Sequence, residues 1–252
     1  MSSIVVAILL AVSMVSCSTP GLVVQKQVTG PGTNCYLLYD PISREAALID
    51  PGGPIDSLLA TVQREQLQVR YFLFTHGHFD HVIGLPAVRD SFPDALVCLD
   101  PLEFRDMKTQ KDWAISHFGE EFIVEWLQDP ELKKVIEFDL MSFGIPDLFL
   151  VEGQLLDLGS YQIRVLSCPG HSAGGTCYAV ADLLFSGDVL FKGTVGRVDT
   201  QNGSREEQIA SVRRLYRELP DQTIVYPGHE ESTTIGAERI GNERVSETAV
   251  SL

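Results

Sequence analysis

Five short apolar runs in this chain, each about the length of one β-strand, stop on aspartate or histidine. They are AALID, ending at Asp50; YFLFTHGHFDH, carrying His76, His78, Asp80 and His81; VLSCPGH, ending at His171; LLFSGD, ending at Asp188; and IVYPGH, ending at His229. This recurrence constrains the fold more than any other feature. Sheets of mixed proteins gather their working residues at strand ends, where loops sit on a rigid scaffold. Five of the six histidines lie in these motifs, with only His117 outside, so the endings are not scattered polar caps.

The segments between them read as mixed α/β. LVVQKQV (22–28) and NCYLLYD (34–40) are strands separated by the turn TGPGT. IDSLLATVQREQL (55–67) has helical spacing, VRYFLFT (69–75) is a strand, HVIGLPAVRDSF (81–92) reads as a short helix, and ALVCL (95–99) is another strand. Residues 100–145 differ in character. They are charged and aromatic, with helical spacing in WAISHFGEEFIVEWLQD, and are expected to form a helical insertion or lid. Strands resume at LFLVEG, QLLDLG, YQIRVLSCPG, TCYAVAD and LLFSGD; a helix follows at 204–219, and a polar tail is helical near TTIGAERIGNE. GPGTN is no phosphate loop, because it joins two strands.

THGHFDH points to metal chemistry. On an extended segment residues i and i+2 face the same way, so His76 and His78 can grip one ion from one side. Asp80 and His81 follow as the chain turns into a helix and face a neighbouring point, which makes two ions a few ångströms apart the natural expectation. Imidazole and carboxylate ligands suit zinc, and also iron or manganese. Asp50 is either a turn-forming aspartate or a carboxylate that orients a ligand histidine.

With those motifs in view, the sequence resembles the metallo-β-lactamase-fold hydrolases, whose hallmark is a His-x-His-x-Asp-His run with later aspartate and histidine ligands. The resemblance covers roughly residues 22–242. It implies an α/β (α+β) fold, a four-layer αβ/βα sandwich, with the metals at the edge of two facing sheets. It further implies that His76, His78 and His171 bind a first metal, that Asp80, His81 and His229 bind a second, and that Asp188 bridges them. The implied cofactor is two divalent ions, zinc foremost, with iron or manganese as alternatives. The implied chemistry is attack on an acyl carbonyl by a metal-bridging hydroxide, available because bound metal lowers the pKa of water to about 7. Asp80 is the implied catalytic residue, positioning that nucleophile and taking its proton.

Within that family, FSGDVLFKGTVGRVD followed by PGHEESTTIGAERIGN is most similar to the short glyoxalase-II-like hydrolases of bacteria. That implies a hydroxyacylglutathione hydrolase type of thioesterase, with a lactonase or other ester hydrolase as the alternative. True β-lactamases of the fold generally lack an aspartate in the place of Asp188. Sulfur dioxygenases of the fold keep one iron, whereas every second-site ligand is present here. Two departures bear on the substrate. The helical C-terminal domain of full-length glyoxalase II has no counterpart after Asn242, and Glu231 stands where that enzyme has tyrosine. Arg197 and Lys192, in FKGTVGR, are candidates to attract an anionic substrate, with surface ion pairing as the alternative.

The 252 residues carry a net charge of −15, which repels phosphate backbones. The densest basic group, Arg213, Arg214 and Arg217, is interleaved with Glu206, Glu207 and Glu218 and reads as a solvated helix face, so the expected partner is a small molecule and not a nucleic acid. Cys35, Cys98, Cys168 and Cys177 show no paired spacing and read as small buried apolar residues; Cys168, three before His171, is also weighed as a ligand. Residues 1–20 stand apart. IVVAILLAVSMVS (4–16) is uncharged and shorter than the ~20 residues that span a bilayer. With small residues before Cys17 it resembles a lipoprotein signal, although no Lys or Arg precedes it and Met14 is unusual at its place. Export with a lipidated Cys17, or a cytoplasmic protein with an N-terminal extension, are the two expectations. Residues 21–252 are expected to form the hydrolase domain.

Overall fold

The computed structural model describes residues 21–119, 121, 124, 127–130, 133 and 137–245. The signal-like reading of residues 1–20 with Cys17, and part of the helical reading of WAISHFGEEFIVEWLQD, lie outside them.

Strands buried on both faces dictate the architecture. The first sheet runs in chain order: β1 (Val23–Thr29), β2 (Thr33–Tyr39), β3 (Glu45–Ile49), β4 (Gln68–Leu73), β5 (Leu96–Leu99) and β6 (Leu148–Phe149). Its first three strands pair antiparallel and the rest parallel. In β2, Cys35, Leu37 and Tyr39 face outward onto helix α1 (Asp56–Glu65), while Tyr36 and Leu38 face the second sheet. A strand buried on both faces must be covered on both, and this is the period-2 pattern that builds layers.

The second sheet, in spatial order, is β12 (Thr233–Thr234), β11 (Ile224–Pro227), β10 (Leu183–Gly187), β9 (Thr176–Val180), β8 (Tyr161–Ser167) and β7 (Leu155–Leu158). Only β10 and β11 pair parallel. Between the sheets Tyr36 meets Phe185 and Tyr226 edge-on, each at 5.4 Å between ring centroids. On the far side, the long helix α7 (Arg205–Glu218) buries Gln208, Ser211, Val212, Leu215 and Tyr216, one stripe at helical spacing. Ser204 caps its start by accepting the Glu207 N–H. Arg214, on its flank, is held by Glu218 and Glu152, which accounts for the basic cluster as a surface feature. Helix, sheet, sheet and helix thus give the expected four-layer αβ/βα sandwich.

Further α-helices among the described residues are α2 (Phe79–Val82), α3 (Leu85–Val88), α4 (Pro101–Met107), α5 (Gln110–Phe118), α6 (Leu140–Phe143) and α8 (Ile235–Gly241). The single helix expected over 81–92 is instead broken into short pieces, α2, α3 and a 3₁₀ turn at Arg89–Ser91. Gly84 sends its N–H to the Pro51 carbonyl at 2.9 Å, outside the helix, and Pro86 has no N–H to continue the ladder. Among the described residues no helix is long and apolar enough to cross a membrane. Cys168 is fully buried with Leu166 and Cys177 in the apolar layer under α7, away from the ligand clusters described below.

Candidate metal centre

Topology brings the five strand ends to one rim. β3 and β4 run parallel to each other, and β8, β10 and β11 share a direction in the second sheet, so their C-terminal loops converge. Asp50 follows β3, the run 76–81 follows β4, His171 follows β8, Asp188 follows β10, and His229 follows β11.

The side chains form two adjoining clusters. His76 Nε2 lies 3.0 Å from His78 Nδ1, which lies 2.9 Å from His171 Nε2. Beside them, His81 Nε2 is 3.5 Å from Asp80 Oδ2, and His229 Nε2 is 3.6 Å from the same oxygen. Asp188 sits between: its Oδ2 is 3.5 Å from both His171 Nε2 and His229 Nε2, and its Oδ1 is 3.6 Å from His81 Nε2. Ligand atoms bound ~2.0–2.1 Å from a tetrahedral ion stand roughly 3.3 Å apart, so these separations suit two ions.

Hydrogen bonds on the outer ring nitrogens fix which nitrogen four of the histidines turn inward. His171 Nδ1 donates to the Arg197 carbonyl at 2.7 Å, and His229 Nδ1 donates to the Gly32 carbonyl at 3.0 Å. His81 Nδ1 donates to Asp50 Oδ2 at 3.0 Å. Asp50 also accepts the Thr75 N–H at 2.8 Å and the Thr75 hydroxyl at 2.6 Å, and that hydroxyl oxygen is 3.0 Å from His76 Nδ1. Four imidazoles therefore present an Nε2 lone pair to the centre, the tautomer metal binding needs. His78 Nδ1 faces two such nitrogens at 2.9 and 3.0 Å and carries at most one proton to share between them, whereas a cation in their midst satisfies all three. Two buried atoms make the same point: His81 Nε2 and Asp188 Oδ1 have no hydrogen-bond partner in the protein. The residues present fit a divalent pair.

Electrostatics separate the two clusters. Burial, reinforced by neighbouring imidazoles, holds His76 well below its usual value, and pushes His78 down to about 3 and His171 to about 4. Burial also opposes charge on His81, but Asp80, Asp188 and Asp50 outweigh it and raise its pKa to about 10. For Asp80, burial acts upward, yet His81, His229, His78 and the Thr33 hydroxyl carry it below the ordinary carboxylate range. In the metal-free protein His76, His78 and His171 are neutral where the unfolded chain protonates near 6.5, so the unfolded state takes up more protons below that pH and stability falls with it. His81 acts oppositely: it stabilises below about 6.5, and that contribution is lost as pH rises toward about 10. The metal-free protein should therefore melt highest near pH 6.5 and drop more steeply on the acid side, with bound metal released there too. Thermal melting against pH, with and without chelator, reads both; an apo protein most stable at pH 4 would contradict the assignment.

Other sequence-derived residues are placed differently. Asp50 is 2% exposed and grips His81 and Thr75, so its part is orientation and not a simple turn. The Arg197 guanidinium pairs with Asp199 at 2.7 and 2.9 Å and lies over the Phe118 ring, while Lys192 Nζ is 2.6 Å from Glu231. Both cations are engaged by surface carboxylates, and it is the Arg197 backbone carbonyl that reaches the centre. Three contributors had no sequence signal as site residues. Thr33 donates its hydroxyl to Asp80 Oδ2 at 2.8 Å, and Glu103 and Gln110 hold the backbone of the 76–81 loop.

Fold and site together define a metallo-hydrolase, and the comparisons agree. The Metallo-beta-lactamase superfamily model matches residues 28–229, and the chain belongs to that superfamily. It is 31% identical over 225 residues to hydroxyacylglutathione hydrolase GloC of Haemophilus influenzae, covering 85% of this chain and 93% of that protein. Among solved structures, BLEG-1 B3 metallo-beta-lactamase is 34% identical with a TM-score of 0.68, covering 87% of this chain and 97% of that one. TTHA1623, solved in a di-iron-bound form, is 30% identical with a TM-score of 0.60, covering 90% and 97%.

Proposed function

We propose that the chain is a binuclear metal-dependent hydrolase that cleaves a thioester of the hydroxyacylglutathione type. The observation that carries this reading is Asp188, whose carboxylate reaches histidines of both clusters at 3.5–3.6 Å. The di-iron form of TTHA1623 supports two metals in such a site, and GloC supports the substrate class. His76, His78 and His171 would hold one ion, and Asp80, His81 and His229 the other, with Asp188 shared; zinc, iron and manganese all suit these donors. When bound, such ions polarise a carbonyl and bring the pKa of water to about 7. The protein's own part is orientation and proton handling. Asp80, ionised and with its side chain 22% exposed against 10% for Asp188, is the carboxylate best placed to take a proton from the attacking water. Thr33 fixes the rotamer of Asp80, and Asp50 fixes His81. An acidic chain with its basic side chains largely paired suits a small acyl substrate and not a nucleic acid; membrane attachment would run through Cys17.

The test combines metal analysis with S-lactoylglutathione hydrolysis on the same purified protein. About two metals per chain, kcat/KM above ~10⁴ M⁻¹s⁻¹ and loss of turnover on chelation are expected. Full turnover in metal-free protein would overturn the reading. The likeness to BLEG-1 favours a second reading, hydrolysis of a β-lactam amide by the same centre. A panel of β-lactams, lactones and simple esters alongside the thioester ranks them directly.

A further inference from the structure

We infer that Glu103 is the positioning residue of the first metal site, and that the segment expected to act as a lid begins as its buried platform. The inference rests on the metal-site reading above. Glu103 lies on α4, the first helix of the insertion, and is only 3% exposed. A carboxylate so deeply buried must be satisfied by donors. One oxygen accepts the N–H of Gly77 at 2.7 Å; the other accepts the N–H of Gly174 at 2.6 Å. Gly77 is the residue between His76 and His78, and Gly174 lies three beyond His171. A single carboxylate thus ties together the two loops that supply all three histidines of the first cluster, one loop from each sheet.

Packing confirms that this approach is built in. A methyl group on Gly77 would run into Met107 and the Glu103 carbonyl, both on α4. One on Gly174 would overlap the Asp100 carboxylate and meet Glu103 Cγ at 3.0 Å. Glycine at both positions is what lets α4 descend onto the loops. Gln110, at the start of α5, completes the hold: its amide donates to the Gly77 carbonyl at 2.9 Å and accepts the Phe79 N–H at 3.1 Å. Among the described residues the insertion makes no hydrogen bond to a side chain of the second cluster, whose fixing partners are Asp50, Thr33 and the Gly32 carbonyl; its nearest approach is the Gln110 bond to the Phe79 N–H beside Asp80. The Glu103 carboxylate is therefore coupled more closely to the first site, two of whose loops it joins, than to the second.

The isosteric change Glu103→Gln tests this, because an amide presents a donor to one of two N–H groups that need an acceptor. Zinc stoichiometry and affinity are measured on the full chain by chelator competition, beside the melting temperature of metal-free protein. Glu103→Gln is expected to weaken one of the two zincs by about 10–100-fold and leave the other near wild type. His171→Ala should lose that same zinc, and adding Glu103→Gln to it should cost no further metal. Combined with His229→Ala, it should leave neither ion tightly held. Wild-type affinity for both zincs in Glu103→Gln, or further metal loss on top of His171→Ala, would overturn the inference. Should Glu103→Gln not fold, Glu103→Asp keeps the charge but reaches only one of the two amides. An intermediate loss of the same zinc is then expected, and unchanged affinity in that variant overturns the inference equally. A wild-type chain that binds no zinc would instead defeat the site reading beneath it.

Discussion

Asp188→Ala is expected to empty both metal positions together and to lower kcat/KM by ~10³-fold or more. Two interacting ions supply several kcal/mol of charge stabilisation to an acyl-transfer transition state, and about 4 kcal/mol is three decades in rate. The residue is shared, since its two oxygens lie 3.5–3.6 Å from His81, His171 and His229. Removing it therefore deprives each cluster of its common anion. Stability should change little when metal is absent. A carboxylate 8% exposed among five imidazoles is costly to bury, and the apo variant should melt close to the apo wild type. Metal analysis and steady-state kinetics on one preparation check both halves. An Asp188→Ala protein that keeps two tightly bound ions would show that the clusters stand without a bridge.

Asp50→Ala should be the most destabilising single change at the rim. Its carboxylate accepts from the Thr75 N–H, the Thr75 hydroxyl and His81 Nδ1, all buried. Alanine leaves at least two N–H groups without acceptors, at ~1–3 kcal/mol each, so a loss of roughly 2–5 kcal/mol follows. For a domain of this size that is on the order of 10 °C in Tm. The backbone adds to it, because Asp50 has φ 48°, a left-handed conformation that aspartate and asparagine tolerate better than alanine. Asp50→Asn keeps the shape and the φ preference but must turn an NH₂ toward one of the donors, so it should fall between wild type and alanine. Denaturant unfolding of the three proteins orders them. Equal stability of Asp50→Ala and wild type would mean that His81 and Thr75 find other partners.

These two residues also show how far the sequence reaches. Asp188 and the histidines were readable because each marks the end of an apolar run, and a strand end is a local signal. The four-layer order was legible only through the family resemblance that the histidine run carries; the structure shows its physical basis in β2, whose side chains alternate between two buried faces. Asp50 was visible as a residue type but ambiguous in role; the hydrogen bond to His81 decides it, and that contact joins residues 31 apart. Glu103 gave no sign, because its partners are backbone N–H groups on two distant loops, and backbone partners leave no mark on residue identity. The same holds for the Gly32 and Arg197 carbonyls. Arg197 was singled out for its charge, yet what the centre receives from it is its C=O. The helix expected over 81–92 failed for a tertiary reason, the pull of the Pro51 carbonyl on the Gly84 N–H.

Where the hairpin of β1 and β2 touches the second sheet, Thr33 bridges to His229 through backbone and the Asn34 N–H reaches the Gly228 carbonyl at 2.7 Å; after β4, the Thr75 carbonyl accepts the Thr176 N–H of the second sheet at 2.8 Å. Elsewhere the sheets meet largely through side chains. The candidate ligands divide along this seam: His76, His78, Asp80 and His81 belong to the first sheet, and His171, Asp188 and His229 to the second. Neither half holds a complete coordination set, so a partly synthesised or half-unfolded chain offers an ion only a fragment of a site. On the proposed reading, metal would be held by its full set of donors only once the halves have closed, and would then act as a rivet through the joint. By mass action, free metal concentration would set how often the sandwich opens. Metal supply would then govern not only whether the rim can do chemistry, but how long the two halves stay together.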